Sequence, residues 1–185
     1  MTAALILGHS FVKRLRYWMR RYGRVMSLKN LTVHLHGVGG RTIDQTYQDM
    51  DVVDSLRPDV IFLQVGGNDI SDSSTATEIF VKLKRLIAAL LNEHHVSTVI
   101  VGSIFCRNRP RNISQVAYDR KKRKINRFLC KEFGGFEPGK KVFFFTHKFF
   151  KGNLFDDDGV HLNDSGNRRF FNSIQSALRL ILATG

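Results

Sequence analysis

Short apolar runs alternate with longer amphipathic stretches along the whole chain. Apolar runs bounded by turn residues are typical of buried parallel strands, and apolar residues at every third or fourth position are typical of helices that cover a sheet. The pattern predicts strands at Ala3–Gly8, Leu31–Gly37, Asp59–Val65, Thr98–Ser103 and Lys141–Phe145. It predicts helices at Val12–Tyr22, Ile43–Leu56, Thr77–His94, Gln115–Phe133 and Ser165–Leu182. We therefore expect an α/β protein with a five-stranded parallel sheet in the doubly wound order 2-1-3-4-5.

Length and composition agree with one globular domain. The chain has 185 residues, 43% of them hydrophobic, and only 3 Pro. Two cysteines, Cys106 and Cys130, provide no disulfide framework and suit a reducing compartment. No stretch reaches the length of a membrane span, and the first residues lack a basic n-region and a cleavage site. The sequence therefore predicts a single domain over residues 1–185 in an intracellular, cytoplasmic protein.

Charge is strongly one-sided. Lys and Arg number 29 against 16 Asp and Glu, a formal net charge of +13. Two amphipathic helices carry polar faces of candidate polyanion-binding residues: Lys13, Arg14, Arg16, Arg20, Arg21 and Arg120, Arg123, Lys124, Arg127, Lys131. Solvated faces that keep the domain soluble are the simplest interpretation. An anionic phospholipid surface ranks next and RNA below it, because the chain has no aromatic-rich RNA-recognition motif. The crossover rule places the two helices on opposite sides of the sheet.

Residues suited to chemistry follow several predicted strands. Ser10 comes directly after the first strand, at a strand-to-helix turn, where a serine is either an ordinary helix cap or an exposed nucleophile. The second strand is followed by Gly37-Val38-Gly39-Gly40-Arg41-Thr42. This segment lacks the Gly-Lys-Ser/Thr of a phosphate-binding loop. The third strand ends in Gly66-Gly67-Asn68-Asp69, where Asn68 is a turn residue or an amide donor.

After the fifth strand, Asp158 precedes His161 by three residues with Gly159 between them. A carboxylate at this spacing can reach an imidazole and fix its tautomer, although the same spacing also occurs in solvated loops. Asp156 and Asp157 are interpreted as solvated loop charges. Because the carboxyl ends of parallel strands meet at one edge, we expect a hydroxyl, an oriented imidazole and hydrogen-bond donors to lie together there. This is the set that acyl transfer requires.

Four segments, in order, resemble the conserved blocks of the SGNH (GDSL-type) hydrolases: Leu7-Gly8-His9-Ser10, Gly39-Gly40-Arg41-Thr42, Gly66-Gly67-Asn68-Asp69 and Asp158-Gly159-Val160-His161. That family implies a three-layer α/β/α flavodoxin-like sandwich and esterase or lipase activity. The chain is most similar to the esterase domain in first-open-reading-frame proteins of some non-LTR retrotransposons. The motifs that carry this resemblance are Gly-His-Ser-Phe-Val, Gly-Gly-Arg-Thr-Ile, Gly-Gly-Asn-Asp and Asp-Gly-Val-His-Leu-Asn. This narrower resemblance implies one domain of a longer protein.

The family resemblance implies a role for each matching residue. Ser10 is the expected nucleophile, His161 its general base and Asp158 the residue that orients the imidazole. The N–H groups of Ser10 and Gly40 and the amide of Asn68 are the expected oxyanion hole. The chain departs from the family at His9, where Asp is usual, so the bracing of the nucleophile turn is open. His9 itself is a poor candidate base, because adjacent side chains at such a turn diverge.

Phenylalanine is concentrated near the last motif, with eight of the 15 between Phe133 and Phe155. Phe149, Phe150 and Phe155 are either loop packing or a possible acyl pocket. We expect hydrolysis of acetyl or lipidic esters, and the Phe-rich loop and the cationic faces favour the lipidic ones. The alternatives are a carbohydrate O-acetylesterase, or a catalytically silent lipid- or RNA-binding module on the same fold. His34 and His36 share one strand face without Cys or carboxylate partners at zinc spacing, so we expect no metal and no cofactor.

Overall fold

A single parallel sheet organises the chain. The computed structural model describes residues 2–184. Its strands are β1 Thr2–Gly8, β2 Leu31–Gly37, β3 Val60–Gln64, β4 Thr98–Gly102 and β5 Val142–Phe145. The order is β2-β1-β3-β4-β5, and every neighbouring pair is parallel. The predicted strands and their order are confirmed, so the segments that follow each strand all lie at one edge.

Helices cover both faces of this sheet. They are α1 Ser10–Arg21, α2 Ile43–Thr46, α3 Met50–Leu56, α4 Ala76–Asn92, α5 Gln115–Phe133 and α6 Asp164–Thr184. One core cluster joins the sheet to α1 and α6, and the other joins it to the helices between β2 and β5. The cations of α1 and α5 therefore lie on opposite sides of the sheet, as predicted. Within residues 2–184, no helix combines the length and apolar character needed to cross a bilayer.

The single helix predicted at Ile43–Leu56 is wrong. The structure has α2, then a 3-10 turn at Tyr47–Asp49, then α3. Asp49 is buried, and its carboxylate bonds His36 Nε2 at 3.2 Å and the Arg41 guanidinium at 3.1 and 3.2 Å. The 3-10 turn points the Asp49 carboxylate inward to these partners. The amphipathic pattern of the sequence shows which residues face the core, but it does not show where a helix is interrupted.

A buried histidine lies in the core beside β3 and β4. His147 Nε2 and Gln64 Oε1 are 2.9 Å apart, and His147 Nδ1 lies 2.7 Å from the Ser173 hydroxyl. Gln64 Nε2 in turn donates to the Ser103 carbonyl, which leaves Gln64 Oε1 as the acceptor for His147. Phenylalanine rings surround the imidazole. Burial lowers the pKa of His147 to about 3, so the folded protein holds it neutral.

Because His147 is buried in its neutral form, we expect the folded protein to be less stable in weak acid. The unfolded chain binds a proton at His147 below its ordinary pKa of 6.5, whereas the folded chain resists protonation until about pH 3. The contribution of His147 to the free energy of unfolding should therefore fall as the pH is lowered through this window, by about 2 kcal/mol between pH 7 and pH 5. Urea denaturation of the parent and His147→Gln at both pH values measures this difference. An identical pH dependence in the two proteins would contradict it.

Candidate active site

Close packing at the end of β1 places Ser10 at the first turn of α1. A Cβ atom added to Gly8 would lie 2.4 Å from the Gln64 carbonyl oxygen, and one added to Gly37 would lie 2.3 Å from the Lys13 nitrogen. Only glycine at these positions allows α1 to begin so close to β2 and β3. Ser10 is the first residue of α1, and it lines a cavity of about 930 Å³.

His161 lines the same cavity and is held by Asp158. His161 Nδ1 lies 2.5 Å from Asp158 Oδ2, while Asp158 Oδ1 accepts the backbone N–H groups of Val160 and His161 at 2.8 and 2.9 Å. Burial opposes ionisation of Asp158. The hydrogen bonds from His161 and Val160 outweigh it and hold the pKa of this carboxyl well below its usual range. Asp158 therefore stays ionised, and with Nδ1–H bonded to it, His161 has Nε2 as its proton acceptor.

Ser10 and His161 come from opposite ends of the chain and both line this cavity. Within residues 2–184, no hydrogen bond joins their side chains, which is common for such pairs before substrate binds. The Phe11 ring lies 6.2 Å from the His161 ring, centroid to centroid. The strand-end loops thus place Ser10 and the oriented imidazole of His161 on the wall of one cavity.

Asn68 is fixed by two hydrogen bonds that determine its orientation. Its Oδ1 accepts from Arg107 Nη2 at 2.8 Å, and its Nδ2 donates to the Arg41 carbonyl at 2.9 Å. Because a guanidinium can only donate, the Asn68 oxygen must face Arg107. One of the two Nδ2 hydrogens is used by Arg41, so the second remains for another acceptor.

The loop after β2 contacts Asn68 through the carbonyl of Arg41. Gly39 lines the cavity, and Gly40 has a φ of +76°, a conformation that favours glycine. Asp69 holds this loop by accepting the Ile43 N–H at 3.1 Å, and burial raises the pKa of Asp69 to about 6. Gly40 and Asn68 do not themselves line the cavity, but the Arg41 carbonyl ties Asn68 to the residue after Gly40.

A model of the GDSL-like lipase/acylhydrolase family matches residues 6–169, which is most of the chain. This chain belongs to the GDSL-like lipase/acylhydrolase family. Membership confirms the SGNH (GDSL-type) resemblance of the four motifs and identifies a carboxylic ester hydrolase. No curated protein sequence gives a significant match.

Solved structures of similar fold belong to lipases and carbohydrate esterases. The lipase/acylhydrolase from Enterococcus faecalis is 16% identical, with a TM-score of 0.70 over 96% of this chain and 95% of that one. A carbohydrate esterase family 3 protein from Talaromyces cellulolyticus is 17% identical, with a TM-score of 0.70 over 100% of both chains. The Clostridium thermocellum family 3 carbohydrate esterase is 19% identical, with a TM-score of 0.65 over 100% of this chain and 99% of that one.

His9 occupies the position where the GDSL family usually has Asp. The side chain is buried against Phe11, with ring centroids 5.2 Å apart, and it does not line the cavity. Burial, with Arg107 and His161 nearby, lowers the pKa of His9 to about 3. Its Nδ1 is buried without a hydrogen-bond partner among the described residues. Backbone bonds brace the turn instead, since the His9 N–H donates to the Gln64 carbonyl and its carbonyl accepts from Val12 and Lys13.

The phenylalanines considered as an acyl pocket do not surround Ser10 in this GDSL-family chain. Phe155 is buried in the core shared by α1 and α6. Phe150 packs on Phe105 with ring centroids 4.5 Å apart, and Phe149 is 71% exposed. Phe149 and Phe150 line a separate cavity of about 550 Å³ near β5. The sequence shows that aromatic residues are concentrated in this loop, but it does not show which way their side chains point.

The cations of α1 divide between the active-site cavity and other surroundings. Lys13, Arg14 and Arg21 line the cavity, whereas Arg16 and Arg20 do not. Arg14 also pairs with Asp156, one of the predicted solvated loop charges: its Nη1 lies 3.1 Å from Asp156 Oδ2, and the Asp156 side chain stays 42% exposed. The same guanidinium comes within 4.0 Å of Asp158 Oδ2. The α5 cations lie on the far side of the sheet, and among them Arg127 lines the cavity near β5.

Sequence reasoning missed Arg107, which lies in the loop after β4. It is buried, holds Asn68 Oδ1, and stacks over Tyr118 with its guanidinium carbon 5.4 Å from the ring centroid. No motif marks this arginine among the 29 cations of the chain. Within residues 2–184, no three His, Cys, Asp or Glu side chains are grouped as metal ligands, and His36 contacts Asp49 instead.

Proposed function

We propose that this protein is a serine esterase in which Ser10 is the nucleophile, His161 the general base and Asp158 the residue that orients His161. The observation that carries the proposal is the shared cavity: the imidazole bound to Asp158 at 2.5 Å and the Ser10 residue line the same space. An ionised carboxylate, an imidazole with a free Nε2 and a serine at a helix start are the parts of a triad.

The proposed reaction has two steps. His161 Nε2 takes the Ser10 proton as Oγ attacks the ester carbonyl, and the resulting oxyanion accepts hydrogen bonds from the Ser10 and Gly40 N–H groups and from Asn68 Nδ2. The tetrahedral species collapses as His161 returns the proton to the leaving alcohol, which leaves an acyl-serine. Water, deprotonated by His161, then attacks the acyl carbonyl, and the acid and Ser10 are released.

We further propose that the acyl group is short. The apolar cavity residues Leu162 and Trp18 are only 1% and 7% exposed, and most other lining residues are polar or charged. The apolar surface open to an alkyl chain therefore comes mainly from the Tyr17 ring and the stems of the charged side chains, and not from a lining of aliphatic residues. The location of Phe149, Phe150 and Phe155 away from Ser10 removes the reason to favour lipidic esters.

Hydrolysis of 4-nitrophenyl esters of increasing chain length tests this proposal. An apolar channel would favour each added CH2 by about 0.8 kcal/mol, or about fourfold in kcat/KM. Without such a channel, we expect acetate to be hydrolysed at least as efficiently as butyrate or octanoate. A steady rise in kcat/KM from acetate to octanoate would contradict the short-acyl assignment, and no hydrolysis of any ester would favour a silent binding module.

A carbohydrate O-acetylesterase is the more specific candidate within this class. The polar side chains of the cavity support it, and two of the proteins of similar fold are carbohydrate esterases. An acetyl ester on a sugar hydroxyl combines a short acyl group with a polar alcohol. The acetyl release assay on saccharide esters described below examines this candidate directly.

The cellular context is also a proposal. The residues of the Gly-His-Ser-Phe-Val and Asp-Gly-Val-His-Leu-Asn motifs support the proposal that this chain is one domain of a longer, retrotransposon-encoded protein. The net charge of +13 supports a polyanionic partner, for which we rank an anionic membrane surface above RNA. Because α1 and α5 lie on opposite faces, each helix would have to bind such a partner separately.

A further inference from the structure

The active-site cavity extends along α1 well beyond Ser10. Its α1 wall is formed by Ser10, Lys13, Arg14, Tyr17, Trp18 and Arg21, which recur at each turn of the helix. At 1.5 Å per residue, Arg21 lies about 16 Å from Ser10 along the helix axis. The opposite wall is formed by Asp156, by His161–Asn163 and by the first turn of α6. The cavity is therefore a groove with Ser10 near one end, much longer than an acetyl group.

Two cations of this groove are not neutralised by a carboxylate. Arg14 is engaged by Asp156 at 3.1 Å, and Asp164 accepts a hydrogen bond from the Tyr22 hydroxyl. Among the described residues, Lys13 and Arg21 have no carboxylate oxygen within 4.0 Å. One cation thus lies a single turn from Ser10 and the other lies at the far end of the groove.

An aromatic side chain lies between these two cations. Tyr17 lines the groove and is 50% exposed, although the Arg16 guanidinium carbon lies 5.8 Å from its ring centroid. The polar side chains of Asn163, Ser165 and Asn167 line the other wall. Arg21 contacts the Tyr22 ring, with its guanidinium carbon 5.4 Å from the ring centroid, but neither Arg21 nor Lys13 has a carboxylate partner among the described residues. An exposed ring, amide and hydroxyl groups and these two cations together suit a ligand that is polar, extended and negatively charged.

We infer that the alcohol portion of the substrate is an acidic saccharide chain whose anionic groups bind Lys13 and Arg21. This inference rests on the proposed esterase function and adds the class of substrate. A neutral saccharide would leave both cations without an anionic partner, and a lining made mostly of polar and charged side chains favours a polar chain over the alkyl chains of a phospholipid. Lys13 lies close enough to Ser10 to contact the saccharide that carries the ester, whereas only an oligomer can reach Arg21.

Acetyl release from acetylated galacturonate oligomers and from acetylated xylo-oligomers of equal length tests the inference. The parent should show kcat/KM about tenfold or more higher for the acidic oligomer, mainly through a lower KM, and the ratio should shrink as salt is added. Lys13→Gln and Arg21→Gln should each lower this ratio about three- to tenfold. The loss from Lys13→Gln should already be present with the monosaccharide, and the loss from Arg21→Gln should grow with chain length.

Arg179→Gln is the matched control, because Arg179 is an exposed residue of α6 that lines none of the described cavities. It should keep the parent's ratio. A ratio near one in the parent, or a ratio that the two groove variants leave unchanged, would overturn the inference while 4-nitrophenyl acetate hydrolysis still upheld the esterase. Faster hydrolysis of a short-chain anionic phospholipid than of the acidic oligomer would also overturn it. Loss of activity on every ester tested would instead refute the proposed function.

Discussion

Ser10→Ala should lower kcat for 4-nitrophenyl acetate by about 10⁴- to 10⁶-fold, with little change in KM. The expected size follows from the loss of the covalent step, which leaves only binding and oxyanion stabilisation. The fold should survive, because the Ser10 hydroxyl makes no hydrogen bond with the described residues and alanine is a good helix residue. Steady-state kinetics measure the loss of kcat, and a thermal melt of the same variant shows whether the fold is retained.

Ser55→Ala serves as the matched control for this variant. Ser55 is exposed in α3, away from the cavity, and should keep the parent's kcat. Retention of more than a tenth of the parent's kcat in Ser10→Ala, with Ser55→Ala also active, would show that another group is the nucleophile or that a contaminant hydrolyses the ester.

Asn68→Ala should lower kcat by about 10²- to 10³-fold. The amide hydrogen that is not bonded to the Arg41 carbonyl is the donor that we assign to the oxyanion, and loss of one such donor usually has an effect of this size. The variant should also lose some stability, because Arg107 Nη2 would be left buried without Asn68 Oδ1. Activity must therefore be measured well below the melting temperature.

Asn126→Ala distinguishes a catalytic effect from a structural one. Asn126 is another partly buried asparagine, and it bonds the Ile104 N–H and carbonyl at 2.9 and 3.1 Å. Its loss should lower stability while kcat changes less than about threefold. If Asn126→Ala and Asn68→Ala lowered kcat equally at matched stability, the oxyanion role of Asn68 would be wrong.

Most of the fold was accessible from the sequence because its signals are local. Each strand is a short apolar run between turn residues, and capping boxes at Thr42 and Thr75 begin α2 and α4. The right-handed crossover rule then leaves few sheet orders. The break in the helix predicted at Ile43–Leu56 was not accessible, because it depends on the contacts of Asp49 with His36 and Arg41.

The site shows the same division between local and long-range signals. Asp158 and His161 are three residues apart, so their contact could be expected from spacing alone, and β1 places Ser10 at the correct edge. Arg107 could not be found, because it reaches Asn68 from a loop 39 positions away. The pairing of Arg14 with Asp156, 142 positions apart, was hidden for the same reason. Such contacts depend on how loops pack after the sheet has formed.

The position of the phenylalanine-rich segment is the most instructive difference. Phe149 has a φ of +62° and turns outward, and Phe150 packs on Phe105 beside the His147 network. An aromatic-rich loop near a catalytic motif suggests a hydrophobic substrate. Packing against neighbouring core side chains, as Phe150 and Phe155 do, buries such rings equally well without any substrate. The substrate assignment therefore depends on the residues that line the groove and not on composition.

Covalent labelling with a fluorophosphonate probe tests the central claim most directly, since it asks whether Ser10 is activated by His161. We expect one probe per chain, located by peptide mass spectrometry on Ser10, and we expect labelling to be lost in Ser10→Ala and strongly slowed in His161→Ala. An unlabelled parent protein, a label on another serine, or undiminished labelling of Ser10 in His161→Ala would contradict the account.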